Sequence, residues 1–223
     1  FLIFLKIFRH MEINMNPNSL TYLFRRCWFR KWLCPDKLIK IRTFIPLELP
    51  PIIREKLSSY RELISEHDNL KQIQWLLKEN YHLTMVFLGN IETVLIKSLE
   101  LKLEHNLSSS KAVPIKFSEI SSFPFSDTLR IAAAMLQNSN ELAQFQNYVA
   151  NCVRAFGIPF ERRRFSPHVT HGRIKSRCRK SLVFQPKQIY LEGISEKVFI
   201  FQSKLIRKGA IYKPLGEISL IWL

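Results

Sequence analysis

Two stretches of the chain carry the same pair of reactive side chains at the same spacing: His82 and Thr84 in YHLTMVFLG, and His168 and Thr170 in FSPHVTHGRIK. Residues i and i+2 of an extended strand project to one face. Each imidazole therefore stands beside a hydroxyl, while Leu83, Met85 and Phe87 are expected to face the other way. With 6 histidines and 6 threonines in 223 residues, random placement gives roughly 0.2 occurrences of His-x-Thr, so a repeated pair is a signal. Two imidazoles across a cleft can serve as base and acid at one pH, because a reference pKa of about 6.5 lets one be neutral while the other is charged. Cleavage of a phosphodiester needs that combination. One histidine removes a proton from the attacking oxygen, the other protonates the leaving oxygen, and the hydroxyls with nearby cations hold the phosphoryl oxygens. Zinc is the competing use of two histidines. Thiolate and carboxylate partners at ligand spacing are missing around both motifs, so no metal and no cofactor are expected.

The elements that must position these pairs follow from the hydrophobic pattern. IRTFIPLEL, from Ile41, is a short apolar strand. Pro50-Pro51 suits the start of a helix running to about His67, with Ile53, Leu57, Tyr60 and Ile64 as its buried stripe. IQWLL is a brief strand and KEN a turn before the His82 strand, which Gly89-Asn90 should close. Glu92 to His105 is a second helix with Leu95, Leu99 and Leu103 on one face. VPIKFSEISSF and TLRIAAAML are strands, although the alanines of the second would also suit a helix. A helix from Asn140, taken as its N-cap, to Phe156 carries Leu142, Phe145, Val149 and Val153 on one stripe and stops at Gly157. QIYLEGI, KVFIFQSKLI and GAIYKPLGEISLIWL complete the chain as strands. A helix followed by a His-x-Thr strand thus occurs twice. That predicts a bilobal, quasi-duplicated α+β fold, antiparallel sheets flanked by helices around a central cleft that carries both motifs.

The formal net charge of +16 and pI near 9.9 point to a polyanionic partner. Nine Lys or Arg lie between Arg154 and Lys180, including Arg162, Arg163, Arg164, Arg173 and Lys175, against the single acid Glu161. Such a run is either a solvated face or a grip on a phosphate backbone beside the second motif. Residues 1–40 form a basic, aromatic extension ahead of a domain spanning 41–223. We take it as sequence upstream of a start at Met11 or Met15, with an RNA-touching arm and an organelle-targeting peptide as the competing readings. FLIFLKIF is too short to span a bilayer, so no membrane partner is expected. Cys27, Cys34, Cys152 and Cys178 match neither a zinc site nor a disulfide framework, and read as free thiols in a reducing, cytoplasmic setting.

At the two motifs the sequence resembles the 2H phosphoesterases, and most nearly the RNA 2',3'-cyclic phosphodiesterases, also called 2'-5' RNA ligases. The resemblance runs from about Ile41 to Leu215 through RTFIPLELP, QWLLKENYHLTMVFLG, FSPHVTHGR and QSKLIRKGAIYKPL. It implies a metal-independent enzyme that hydrolyses a terminal 2',3'-cyclic phosphate of RNA to a 2'-phosphate, with reversible 2'-5' ligation as a second capacity. His82 would be the proton donor, His168 the acceptor, and Thr84 and Thr170 the phosphate ligands. Phe44, Tyr81, Arg164 and Arg173 are candidate substrate contacts, and a monomer is expected. Two positions depart from the family pattern: His171 stands where an apolar residue is usual, and Pro46 where a small one is. The alternatives are a phosphodiesterase for 2',5'-linked oligonucleotides or small cyclic nucleotides, and a non-catalytic RNA-binding module.

Overall fold

A computed structural model of the chain describes residues 39–65, 72–123, 131–160, 164–175, 186–206 and 209–221. Residues 1–38 of the expected extension, Arg162, Arg163 and three of the four cysteines lie outside the described residues; Cys152 is a buried free thiol.

The first half supplies β1 (Lys40–Leu47), α1 (Pro51–Ser65), β2 (Ile73–Trp75), β3 (Leu83–Glu92) and α2 (Ile96–Leu107). The second supplies β4 (Val113–Phe123), β5 (Ile131–Leu136), α3 (Asn140–Phe156), β6 (His168–Ile174), β7 (Lys187–Ser195), β8 (Lys197–Ile206) and β9 (Gly209–Ser219). The strands form one sheet in the order β7-β4-β5-β6-β3-β1-β8-β9, with β2 paired to β6. Neighbours pair antiparallel throughout, as expected for an α+β fold. The order reads as two quartets, β9-β8-β1-β3 and β6-β5-β4-β7, which meet where β3 pairs with β6. Each quartet places a helix in the chain before its motif strand, α1 before β3 and α3 before β6.

The seam is narrow. Leu83 and Val169, the middle residues of the two His-x-Thr motifs, are the residue pair that joins β3 to β6. Both are fully buried in a core shared with Ile53 and Leu57 of α1, Leu99 and Leu103 of α2, and Val149 and Val153 of α3. Cross-strand partners lie on one face, so their sequence neighbours emerge on the other. Burying Leu83 therefore turns His82 and Thr84 away from the core, and burying Val169 does the same for His168 and Thr170. Because the ladder here is so short, side-chain packing holds the halves in register, and truncating Leu83 to alanine would cost about 2–5 kcal/mol.

Three local expectations change. Ser139, not Asn140, caps α3: its Oγ accepts the Leu142 N–H at 3.2 Å, and Gly157 ends the helix with φ of 90°. β3 does not close at Gly89-Asn90 but passes through Gly89, at φ 69°, to Glu92. β5 is a strand despite its alanines, since Ala132, Ala133 and Ala134 are fully buried between β4 and β6, and pairing overrides their helix preference. Among the described residues no helix is long and apolar enough to cross a membrane.

Candidate active site

Both motif strands bend at the same point. Opposite β1, the pairing of β3 steps from Pro46↔Thr84 to Ile45↔Val86; opposite β5, that of β6 steps from Ala133↔Thr170 to Ala132↔Gly172. One extra residue, Met85 in β3 and His171 in β6, is thus inserted directly after each threonine. A bulge resets the side-chain alternation. Two consecutive residues turn inward (Met85 and Val86; His171 and Gly172), and the next emerges: Phe87 in β3 and Arg173 in β6, both exposed. Strict alternation had placed Phe87 with the core. The bulge returns it to the face of His82 and Thr84, where it is 59% exposed. At the same step Gly172 lets β2 approach, since a Cβ there would meet Ile73 Cγ2 at 2.5 Å.

The two histidines are held alike. His82 Nδ1 donates to the carbonyl of Asn80 at 2.7 Å, and His168 Nδ1 to that of Ser166 at 2.9 Å. A carbonyl only accepts, so Nδ1 carries the proton in each neutral ring, and Nε2 is left as the atom that takes or gives one. Each ring also lies against an aromatic. His82 is 4.8 Å from Phe44 and 4.9 Å from Tyr212, and His168 is stacked on Phe123 at 4.7 Å. Burial pushes His82 down to about 4, with a further push from His168 across the seam; burial also lowers His168. Neither the Thr84 nor the Thr170 hydroxyl has a hydrogen-bond partner among the described residues, and the Arg173 guanidinium makes no ion pair with one.

Among the candidate substrate contacts, Arg173 shares the face of His168 and Thr170, and Arg164 is exposed in the segment leading into β6. Phe44 and Tyr81 are both largely buried, and Tyr81 lines a cavity beside His82. Phe44 is 3% exposed, covered by His82, Phe87, Phe201 and Tyr212, and supports the His82 ring from behind. Tyr81 is also 3% exposed; as the neighbour of His82 it shares the inward face of Leu83 and stacks on His171. Tyr212 and Phe123 escaped the sequence reading, because they reach the histidines through pairings with distant strands.

The family description LigT like Phosphoesterase matches residues 47–130, which contain the first motif and its bulge. The RNA 2',3'-cyclic phosphodiesterase of Methanocaldococcus jannaschii is 26% identical over 182 residues, covering 79% of this chain and 99% of the relative. Over that segment and along most of its length, the chain is similar to the LigT-like phosphoesterases. Two solved structures share the fold: TT0787 of Thermus thermophilus, with a TM-score of 0.70 at 21% identity, and E. coli LigT complexed with 3'-AMP, at 0.66 and 22%. Each covers 81% of this chain and 98% of its own. No group of three or more His, Cys, Asp or Glu side chains among the described residues could hold a metal ion.

Proposed function

We propose that the protein hydrolyses a terminal 2',3'-cyclic phosphate on RNA to a 2'-phosphate, with His82 as proton donor and His168 as acceptor. The observation that carries this reading is the pair of imidazoles with Nδ1 fixed on a backbone carbonyl and Nε2 left for proton transfer. His168 Nε2 takes a proton from water as the oxygen attacks phosphorus. The bond to O3' breaks, and His82 Nε2–H protonates that oxygen, leaving a 3'-hydroxyl and a 2'-phosphate. His82 suits the donor's role, since a ring whose pKa is pushed down to about 4 is the stronger acid once charged. The phosphodiester supplies the negative charge that favours the imidazolium when substrate is bound. Thr84 and Thr170 donate their unpaired hydroxyls to the non-bridging oxygens, and Arg173 neutralises the charge that builds there. With a 5'-hydroxyl in place of water, the same steps form a 2'-5' linkage.

The exposed Phe87 and the partly exposed Tyr212 beside His82 offer flat surfaces to unpaired bases, and the net charge of +16 suits a polyanion. Relatives named RNA 2',3'-cyclic phosphodiesterase support the substrate class. The test is an oligoribonucleotide ending in a 2',3'-cyclic phosphate, incubated in EDTA. Appearance of the 2'-phosphate isomer is expected; a 3'-phosphate product would reverse the leaving group, and activity confined to 2',5'-linked oligonucleotides would favour that alternative.

A further inference from the structure

Beside His82 lies a cavity of about 180 Å³, walled by Tyr81, Phe199 and Phe201 and reached on its polar side by Glu48, Glu79 and Arg54. The aromatic wall continues the platform under the catalytic ring: Phe201 is 5.7 Å from Phe44 and 5.2 Å from Phe199. An apolar cavity of about 150 Å³ is known to accept benzene, so the space suits a flat heteroaromatic ring. The connectivity of the substrate places a particular ring here. In a nucleotide with a 2',3'-cyclic phosphate, the base is one ribose away from phosphorus, so phosphate held between the two histidines leaves the terminal base beside His82.

The Glu48 side chain decides which base. Half-buried at this wall, it makes no hydrogen bond or ion pair with a described residue; Lys197, the cation with the strongest pull on it, is itself paired with Glu217 at 2.6 Å. Burial raises the carboxyl above its ordinary value, against the pull of Lys197 and Arg54. A carboxylate partly shielded from water and lacking a protein donor gains from a ligand that brings donors. An ionised carboxylate is acceptor-only, with two oxygens side by side. Guanine alone among the four bases presents two N–H donor groups, N1–H and the N2 amino group, along one edge. Adenine and cytosine would place a ring nitrogen lone pair against the second oxygen, and uracil offers one N–H between two carbonyls.

We infer that this cavity is a subsite for the terminal nucleobase and that Glu48 selects guanine there, so that RNA ends bearing a guanosine 2',3'-cyclic phosphate are the favoured substrates. The inference rests on the hydrolytic function proposed above and names its substrate more closely.

The test separates the two. Binding of guanosine, adenosine, cytidine and uridine 2'-monophosphates to the full chain is measured by calorimetry, for the wild type and for Glu48→Gln. Turnover of the four nucleoside 2',3'-cyclic monophosphates is measured alongside. We expect guanosine to bind at least about tenfold more tightly than the other three, as a two-point charge-assisted contact implies. Glu48→Gln should bring it to their level, since an amide presents one acceptor and one donor to an edge with two donors. Equal binding of the four bases by the wild type overturns the inference, as does a guanosine preference that survives Glu48→Gln. Absence of turnover on all four cyclic substrates would count against the proposed hydrolysis, while the binding series would still decide the subsite.

Discussion

Tyr81 and His171 stack across the seam between the two halves, with ring centroids 4.8 Å apart and planes 7° from parallel. They immediately precede and follow the two motifs, and they carry the Leu83–Val169 register two residues further on the buried side. His171 is fully buried, and among the described residues neither of its nitrogens has a hydrogen-bond partner; the Tyr81 hydroxyl also lacks one there. Burial, with a smaller push from Arg61, drives His171 down to about 3, and burial drives Tyr81 up to about 12. Both rings stay neutral across the physiological range. They pack behind the two His-x-Thr motifs.

His171 should make the fold acid-sensitive. Its folded-state pKa lies below the unfolded value of about 6.5, so the unfolded chain binds the proton first. The associated stability is complete above pH 6.5 and is lost as pH falls toward 3. Between pH 7 and pH 5 this one group should cost about 2 kcal/mol. His171→Leu removes that loss and two unsatisfied nitrogens, at the expense of a stacking contact. It should be about 1 kcal/mol more stable at pH 7 and less sensitive to acid in urea titrations. Parallel losses for both proteins would show that His171 does not couple to pH.

Activity should show the same depression from the other side. The His82 and His168 imidazoles are both held below their ordinary value, so the free protein at neutral pH has both mostly neutral. The profile of kcat/KM on a cyclic mononucleotide should peak below pH 6.5 and fall about tenfold per unit above it. In the complex the phosphate's charge favours the imidazolium, so the kcat optimum should lie at higher pH than that of kcat/KM. A kcat/KM that rises between pH 6 and pH 8 would contradict this.

Arg173 and Arg164 should separate by substrate. Arg173 emerges on the face of His168 and Thr170, so Arg173→Gln should lower kcat/KM about 10- to 100-fold on every substrate, the range of a lost charge-assisted contact. Arg164 lies outside the motif, exposed ahead of β6. Arg164→Gln should weaken binding of a long oligonucleotide, with a salt dependence shallower by about 0.7, and spare a cyclic mononucleotide. Assays at several salt concentrations on both substrates check this; equal effects of the two variants on the mononucleotide would contradict the assignment.

Much of the site is local and was legible. His-x-Thr on a strand puts both side chains on one face whatever the strand pairs with, and the order of a helix before each motif gave the quasi-duplicated α+β fold. What escaped depends on long-range pairing. Leu83 and Val169 are 86 residues apart (169 minus 83), and nothing near either one announces the register that joins them. Tyr212 and Phe123 reach the histidines from β9 and β4 for the same reason. The two bulges shift the alternation by one residue, so Phe87 emerged where a core position was expected. Tyr81, offered as a substrate contact, lies with Leu83 as simple parity predicts, and it also lines the cavity beside His82. Ser139 took the cap from Asn140 because its extended backbone lets its hydroxyl reach the Leu142 N–H.

Proton transfer by two imidazoles is the mechanism proposed for this site. Its most direct measurement is single-turnover cleavage of an oligoribonucleotide ending in a 2',3'-cyclic phosphate by the wild type, His82→Ala and His168→Ala, each first shown by circular dichroism to be folded. Each substitution should lower the rate by about 10²–10⁴, the contribution of a positioned proton-transfer group, with the wild type yielding the 2'-phosphate. A folded variant of either histidine that retains near-wild-type rate would contradict the two-histidine mechanism.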